Sequence, residues 1–175
     1  MEPKTKATIT LHDLTESSIR TLITNTYRKG RDIITVHYNT EKQFNFLKEV
    51  IKTRLIGFEI ISKGKGVCTV ENITEPSADQ FETLMKKMFY NVSEMFDITQ
   101  SHLKNTSGVY DFEEIEERIQ RYSNFCYRVI ANKRLQTTNS EFLWMFITLI
   151  VHGQRELYLL NNYLTSKIKI STEVE

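Results

Sequence analysis

Beyond Pro76 the apolar residues recur at helical spacing through three successive segments, and no strand-like alternation interrupts them. The first carries Phe81, Leu84, Met85, Met88, Phe89, Val92, Met95, Phe96 and Leu103 in one long stripe. The second opens at Asp111, with Glu114 three residues on as an aspartate form of the capping box. Its stripe is Ile115, Ile119, Tyr122, Cys126 and Val129. The third is "FLWMFITLIVHGQRELYLLNNYL", Phe142 to Leu164, with Asn139 or Ser140 as N-cap. "NTSG" and "LQTTNS" separate the three. Long amphipathic helices joined by short turns must cover their apolar faces with one another. Residues 76–166 are therefore expected to form an up-down-up three-helix bundle.

Residues 1–75 read differently. "ATITL" alternates with a period of two, and "DIITVHY" is rich in β-branched residues; both are expected strands. "TESSIRTLITNTYRKG" places Ile19, Leu22, Ile23 and Thr26 or Tyr27 on one helical face, with Gly30 as a stop. "TEKQFNFLKEVIKTR" does the same with Phe44, Leu47, Val50 and Ile51. "GFEIIS" and "GVCTVEN" flank "KGKG" as a hairpin. The order β-α-β-α-β-β describes a small α+β unit ending at Glu75, where Pro76 disfavours helix in the residue before it. The last segment, residues 167–175, lacks the bundle pattern and is expected to be a frayed or weakly extended tail.

A net charge of +1 supplies no global field for nucleic acid or an anionic membrane. The longest strongly apolar run, Phe142 to Val151, falls well short of the roughly 20 residues of a membrane span. Cys68 and Cys126 stand far apart with no second thiol near either, which leaves a metal knuckle or redox pair unsupported. These features lead to the expectation of a soluble protein in a reducing, cytoplasmic setting.

His152, Gly153, Gln154, Arg155 and Glu156 cross the middle of the third helix. Phe142, Leu149, Glu156 and Tyr163 are seven apart, and Phe146, Gly153 and Leu160 form the adjoining row, so Glu156 and Gly153 are expected on the packed side. A helix-interior glycine costs about 1 kcal/mol, which a close neighbour or a notch would explain. His152 and Glu156, at i and i+4, point the same way and have the spacing of two metal ligands. The alternative is a polar layer between packed helices, with Arg118 or Arg121 as the ionic partner, because buried charge is usually paired. The run Glu113, Glu114, Glu116 and Glu117 suits a solvated helix start, where the dipole favours carboxylates. "SKGKG" lacks the spacing of a phosphate-binding loop and is expected to be a turn. Arg28, Lys29 and Arg31 make a basic spot without interleaved aromatics, which does not support nucleic-acid binding. No nucleophile, base and oxyanion donor converge in the sequence, so an enzyme is not expected.

Taken together, the segments "LIGFEIISKGKGVCTVENI", "FETLMKKMFYNVSEMF", "ERIQRYSNFCYRVIANK" and the Phe142–Leu164 stretch resemble the archaeal PhoU-type phosphate-uptake regulators over roughly residues 7–166. The resemblance implies an α+β unit followed by one PhoU-like helical repeat. It also implies a regulatory role exerted through protein contacts, with a phosphate-transport or signalling component as the partner. Fuller members of that family begin with an AbrB-type DNA-binding module, and this chain starts after the place where that module would lie. The family holds iron, zinc or other divalent cations with acidic residues of its second and third helices. The matching positions here are Ile119 and Ser123, which cannot replace carboxylates, and His152 and Glu156, which keep half of the set. The resemblance thus favours the bundle over the metal. A single repeat leaves an apolar face uncovered, and the expectation is a homodimer through the bundles. The competing expectation is a metal- or small-molecule-sensing domain built on His152, Gly153 and Glu156.

Overall fold

A computed structural model describes residues 3–104, 111–132, 135 and 139–173, with side chains through residue 166. Strands β1 (Lys6–Thr10), β2 (Ile33–His37), β3 (Phe58–Gly64) and β4 (Val67–Asn72) form one sheet in the order β1-β2-β4-β3. β1 and β2 are parallel and the other pairings antiparallel. Parallel neighbours need a crossover, which helix α1 (Glu16–Arg28) provides. Thr15 caps it by accepting from the Ser18 N–H, and Thr40 caps α2 (Glu41–Arg54) by accepting from the Gln43 N–H. Both helices lie on one face of the sheet. Ile34, Val36, Cys68 and Val70 meet Ile19, Ile23 and Tyr27 of α1 and Phe44, Leu47 and Val50 of α2 in a single core. The β1–β2 register puts Lys6, Thr8 and Thr10 on the opposite face with Thr35 and His37, a surface suited to water. The hairpin strand β3 runs two residues further than the sequence pattern indicated. Gly64 pairs with Val67, which leaves a two-residue turn, Lys65–Gly66, with Gly66 at φ 71°.

After a short 3-10 turn (Ala78–Gln80) come α3 (Phe81–Leu103), α4 (Phe112–Ala131) and α5 (Ser140–Glu173). Asp111 caps α4 by accepting from the Glu114 N–H at 3.0 Å, while the Glu114 carboxylate turns to Arg118 instead of completing the box. Asn139 caps α5: its carbonyl accepts the first helical bond, from the Leu143 N–H at 3.0 Å. The "NTSG" break lies outside the described residues. α5 runs to Glu173, so residues 167–173 continue the helix where the sequence pattern indicated a frayed or extended tail.

Side-chain pairs fix the helix directions. Phe89 meets Phe146, and further along Thr99 meets Asn161, so α3 and α5 run the same way. Phe112 meets Tyr158 whereas Tyr127 meets Trp144, so α4 runs against α5. The expected up-down-up arrangement is present. Its middle helix is also the centre of the molecule. Every residue from Ser123 to Ile130 is buried, because α4 is covered on one side by α3 and α5 and on the other by α1 and α2. The single apolar stripe read from the sequence describes only the first of those sides.

Candidate functional site

Four sets of side chains are candidates for function in this fold. The first joins the two halves. Arg128 of α4 is fully buried; its guanidinium donates to Asp32 at 2.6 Å and Glu75 at 2.7 Å, and to the carbonyls of Tyr27 and Arg31, both at 2.9 Å. The same group lies over the rings of Tyr27 and Phe58, at 5.0 and 5.1 Å from their centroids. Burial pushes the Asp32 carboxyl up, but hydrogen bonds from Thr5 and the charge of Arg128 outweigh it and hold it below its ordinary value. Around this node, Arg28 donates to Asn124 at 2.8 Å, Asn124 donates to the Arg54 carbonyl, and Arg54 pairs with Glu116 at 3.0 Å. Part of the acidic run at the start of α4 is therefore an interdomain clasp and not simply a solvated helix end. At Gly30, φ 81°, an added Cβ would collide with the Asn132 side chain, so the turn that ends α1 also seats the bundle.

The second is an open cleft of about 740 Å³ between α1, α4 and α5. Arg20 and Arg28 line it from α1, Glu113 and Glu117 from α4, and His152 and Arg155 from α5. The walls carry both signs of charge, and Arg28 is already committed to Asn124 and to the Tyr127 ring. Its geometry favours no single class of charged ligand.

The third is a polar rung inside the bundle. Asn161 is fully buried; its amide donates to Thr99 at 2.8 Å and its carbonyl lies 2.7 Å from His102 Nδ1. One heptad earlier, Gln154 is equally buried, with neither amide atom hydrogen-bonded among the described residues. The buried polar groups of α5 are therefore Gln154 and Asn161, not the residues expected to form the layer. His152, Gly153 and Glu156 are exposed, and a Cβ added at Gly153 meets nothing within 4 Å, so they form no packed notch. The inward row of α5 is Leu143, Ile147, Ile150, Gln154, Leu157 and Asn161, one position round from the row expected. α5 is apolar on more than one side, and periodicity cannot say which side faces the core. Arg118 bridges α4 to α3 through Asn91 and Glu94 and pairs with Glu114 one turn earlier on its own helix. The Nε of Arg121 is buried without a hydrogen bond among the described residues. No hydrogen bond or ion pair joins either arginine to His152 or Glu156 there. Among the described residues no group of three or more His, Cys, Asp or Glu is placed to hold a metal ion.

The fourth is the outer face of α3 and α5. Among the described residues thirteen large hydrophobic side chains are exposed, and all but Ile61 and Ile73 lie on these two helices. Phe89, Phe96 and Leu103 recur at seven-residue spacing along α3, and Phe142, Leu149 and Tyr163 share one heptad row of α5, with Glu156 between the last two. Phe142 stacks on Phe146, and Phe146 reaches Phe89, which ties the two stripes into one surface. Soluble chains seldom leave a patch of this extent to water. No helix among the described residues is long and apolar enough to cross a membrane.

No family model matches the chain, and neither a curated protein nor a solved structure matches it. Sequence reasoning passed over Arg128, Asp32 and Glu75. The available signal was an arginine set among apolar neighbours in "NFCYRVI", where one side of a helix alone could not have buried its flanks.

Proposed function

We propose that this chain is a non-enzymatic regulatory or interaction protein of the PhoU-like type, concerned with phosphate uptake, whose working surface is the outer face of α3 and α5. The observation that carries this reading is the segregation of exposed apolar side chains. They cluster on two adjacent helices, while the α+β unit keeps a polar outer sheet face. The Arg128 node joins the α+β unit to α4, so the face and the sheet are linked through packed contacts of one helix. The coarse fold, an α+β unit followed by three helices, agrees with what the resemblance implies. The test compares native-host proteins retained by the tagged chain with those retained by a Phe96→Glu, Leu149→Glu variant. The expected outcome is a transport or signalling component held by the first and lost by the second. Identical protein sets from both would overturn the assignment of this surface.

A sensing role is the second reading, and what favours it is the size of the cleft, which falls in the range of small-ligand sites. Stoichiometric metal in the purified protein, lost on His152→Ala or Glu156→Ala, would move the assignment to sensing.

A further inference from the structure

We propose that the occupant of this face is a second copy of the chain, its α5 crossing the first antiparallel with the two-fold axis at Gly153. The proposal rests on the reading of the α3–α5 face as an interaction surface and names what covers it: the transport or signalling component then docks on the paired bundles, so a variant that parts the two copies loses that component as well. The row of α5 on the flank beside α3 is Phe142, Phe146, Leu149, Gly153, Glu156, Leu160 and Tyr163, with steps of four and three residues; all are exposed except Phe146, which is half-buried against Phe89. That row has a symmetry of its own. Phe146 and Leu160 lie equally far from Gly153 in opposite directions, and Phe142 and Tyr163 nearly so. An isologous contact requires this property, because each residue must fit its counterpart counted from the other end. With the axis at Gly153, Phe146 meets the partner's Leu160 and Phe142 meets the partner's Tyr163.

Two further observations select this register. Gly153 is exposed, faces open space and lies within a long helix, where it costs about 1 kcal/mol relative to alanine. Nothing in the lone chain requires a missing Cβ there; two backbones crossing at that point do. Glu156 is the one charge in this row of α5, and His152 sits on the same flank one turn earlier. In an antiparallel crossing at Gly153 that flank faces its own copy, so Glu156 comes within reach of the partner's His152, and the reverse pair forms by symmetry. A hydrogen-bonding pair is thus built into a surface that is otherwise apolar. Phe89, Phe96 and Leu103 of α3 flank the crossing. With large side chains presenting about 200 Å² each when open, the exposed members of both stripes offer on the order of 700 Å². A standard specific interface buries roughly 800 Å² per partner.

The test places cysteines on the full chain. The native thiols do not interfere: Cys68 and Cys126 are buried, and burial pushes them up to about 11 and about 12. Gly153→Cys lies on the axis and is expected to give a disulfide-linked dimer under mild oxidation, because bridging requires Cα atoms within about 7 Å. Leu160→Cys alone is expected to stay monomeric on a non-reducing gel, whereas Phe146→Cys combined with Leu160→Cys links. Sedimentation should show the unmodified chain as a dimer at about 100 µM, a concentration chosen above typical weak-dimer constants. Gly153→Leu should raise thermal stability through helix propensity yet weaken dimerisation at least tenfold. Self-linking of Leu160→Cys without linking of Gly153→Cys would overturn the register while leaving the face as an interface. A strict monomer with no cross-link would overturn the self-pairing, and the host-protein comparison then decides separately whether the face docks another partner.

Discussion

Replacing Arg128 with methionine keeps most of the stem volume and removes the guanidinium, and the consequence can be worked from its surroundings. Two ion pairs and two hydrogen bonds to carbonyls disappear together. The Glu75 carboxylate side chain, 3% exposed, stays buried and loses its contact with Arg128, while Asp32, 14% exposed, can hydrate more readily. Breaking a buried pair by removing one partner costs about 3–5 kcal/mol, most of it the penalty on the charge left behind. Against a total stability on the order of 5–15 kcal/mol, that is a large fraction. Urea unfolding followed by two probes tests it. Far-UV circular dichroism reports both halves, whereas the single tryptophan, Trp144, lies in α5 and reports the bundle. For the unmodified chain the two transitions should coincide. For Arg128→Met the stability should fall by about 3–5 kcal/mol and the curves should separate, because the clasp coupling the halves is gone. Adding Glu75→Gln should recover part of the loss, since the buried charge is then removed as well. A loss below about 1 kcal/mol with coincident curves would refute the reasoning, because it would mean that the carboxylates find water at no cost.

Three further outcomes follow from the same coordinates. Asp32 is held below its ordinary pKa in the folded state, so its stabilisation is present above the unfolded value near 3.9 and is lost as pH falls through the folded value. The gap between the unmodified chain and Asp32→Asn should therefore be widest near neutrality and close in acid, and thermal melts showing a constant gap down to about pH 3 would contradict this. Gln154→Met, which replaces two unpartnered buried polar atoms with a group of similar shape, should stabilise the bundle by about 1–3 kcal/mol in urea. Asn161→Met, one heptad on in the same row, should destabilise by a similar amount, because it strips Thr99 and His102 of the bonds that Asn161 makes; equal signs for the two variants would undo the argument.

Element types and their order followed from local rules acting on neighbouring residues. The period of two in "ATITL", the caps Thr15, Thr40 and Asp111, and the long stripe of α3 each act within a turn or a strand, so the sequence carries them directly. Which side of a helix faces inward is a different kind of fact. α5 offers apolar residues on more than one side, and the choice of Ile147, Gln154 and Asn161 over Leu149, Glu156 and Tyr163 is made by the partners α3 and α4. α4 shows this most plainly. Its sequence reads as a one-sided amphipathic helix, yet Asn124 and Arg128 are buried because α1 and α2 dock on its other side. Arg128 can be charged and fully enclosed only because Asp32 and Glu75, far away along the chain, arrive at the same point. Pairing over such separations depends on how the halves pack, and that was decided by the tertiary structure alone.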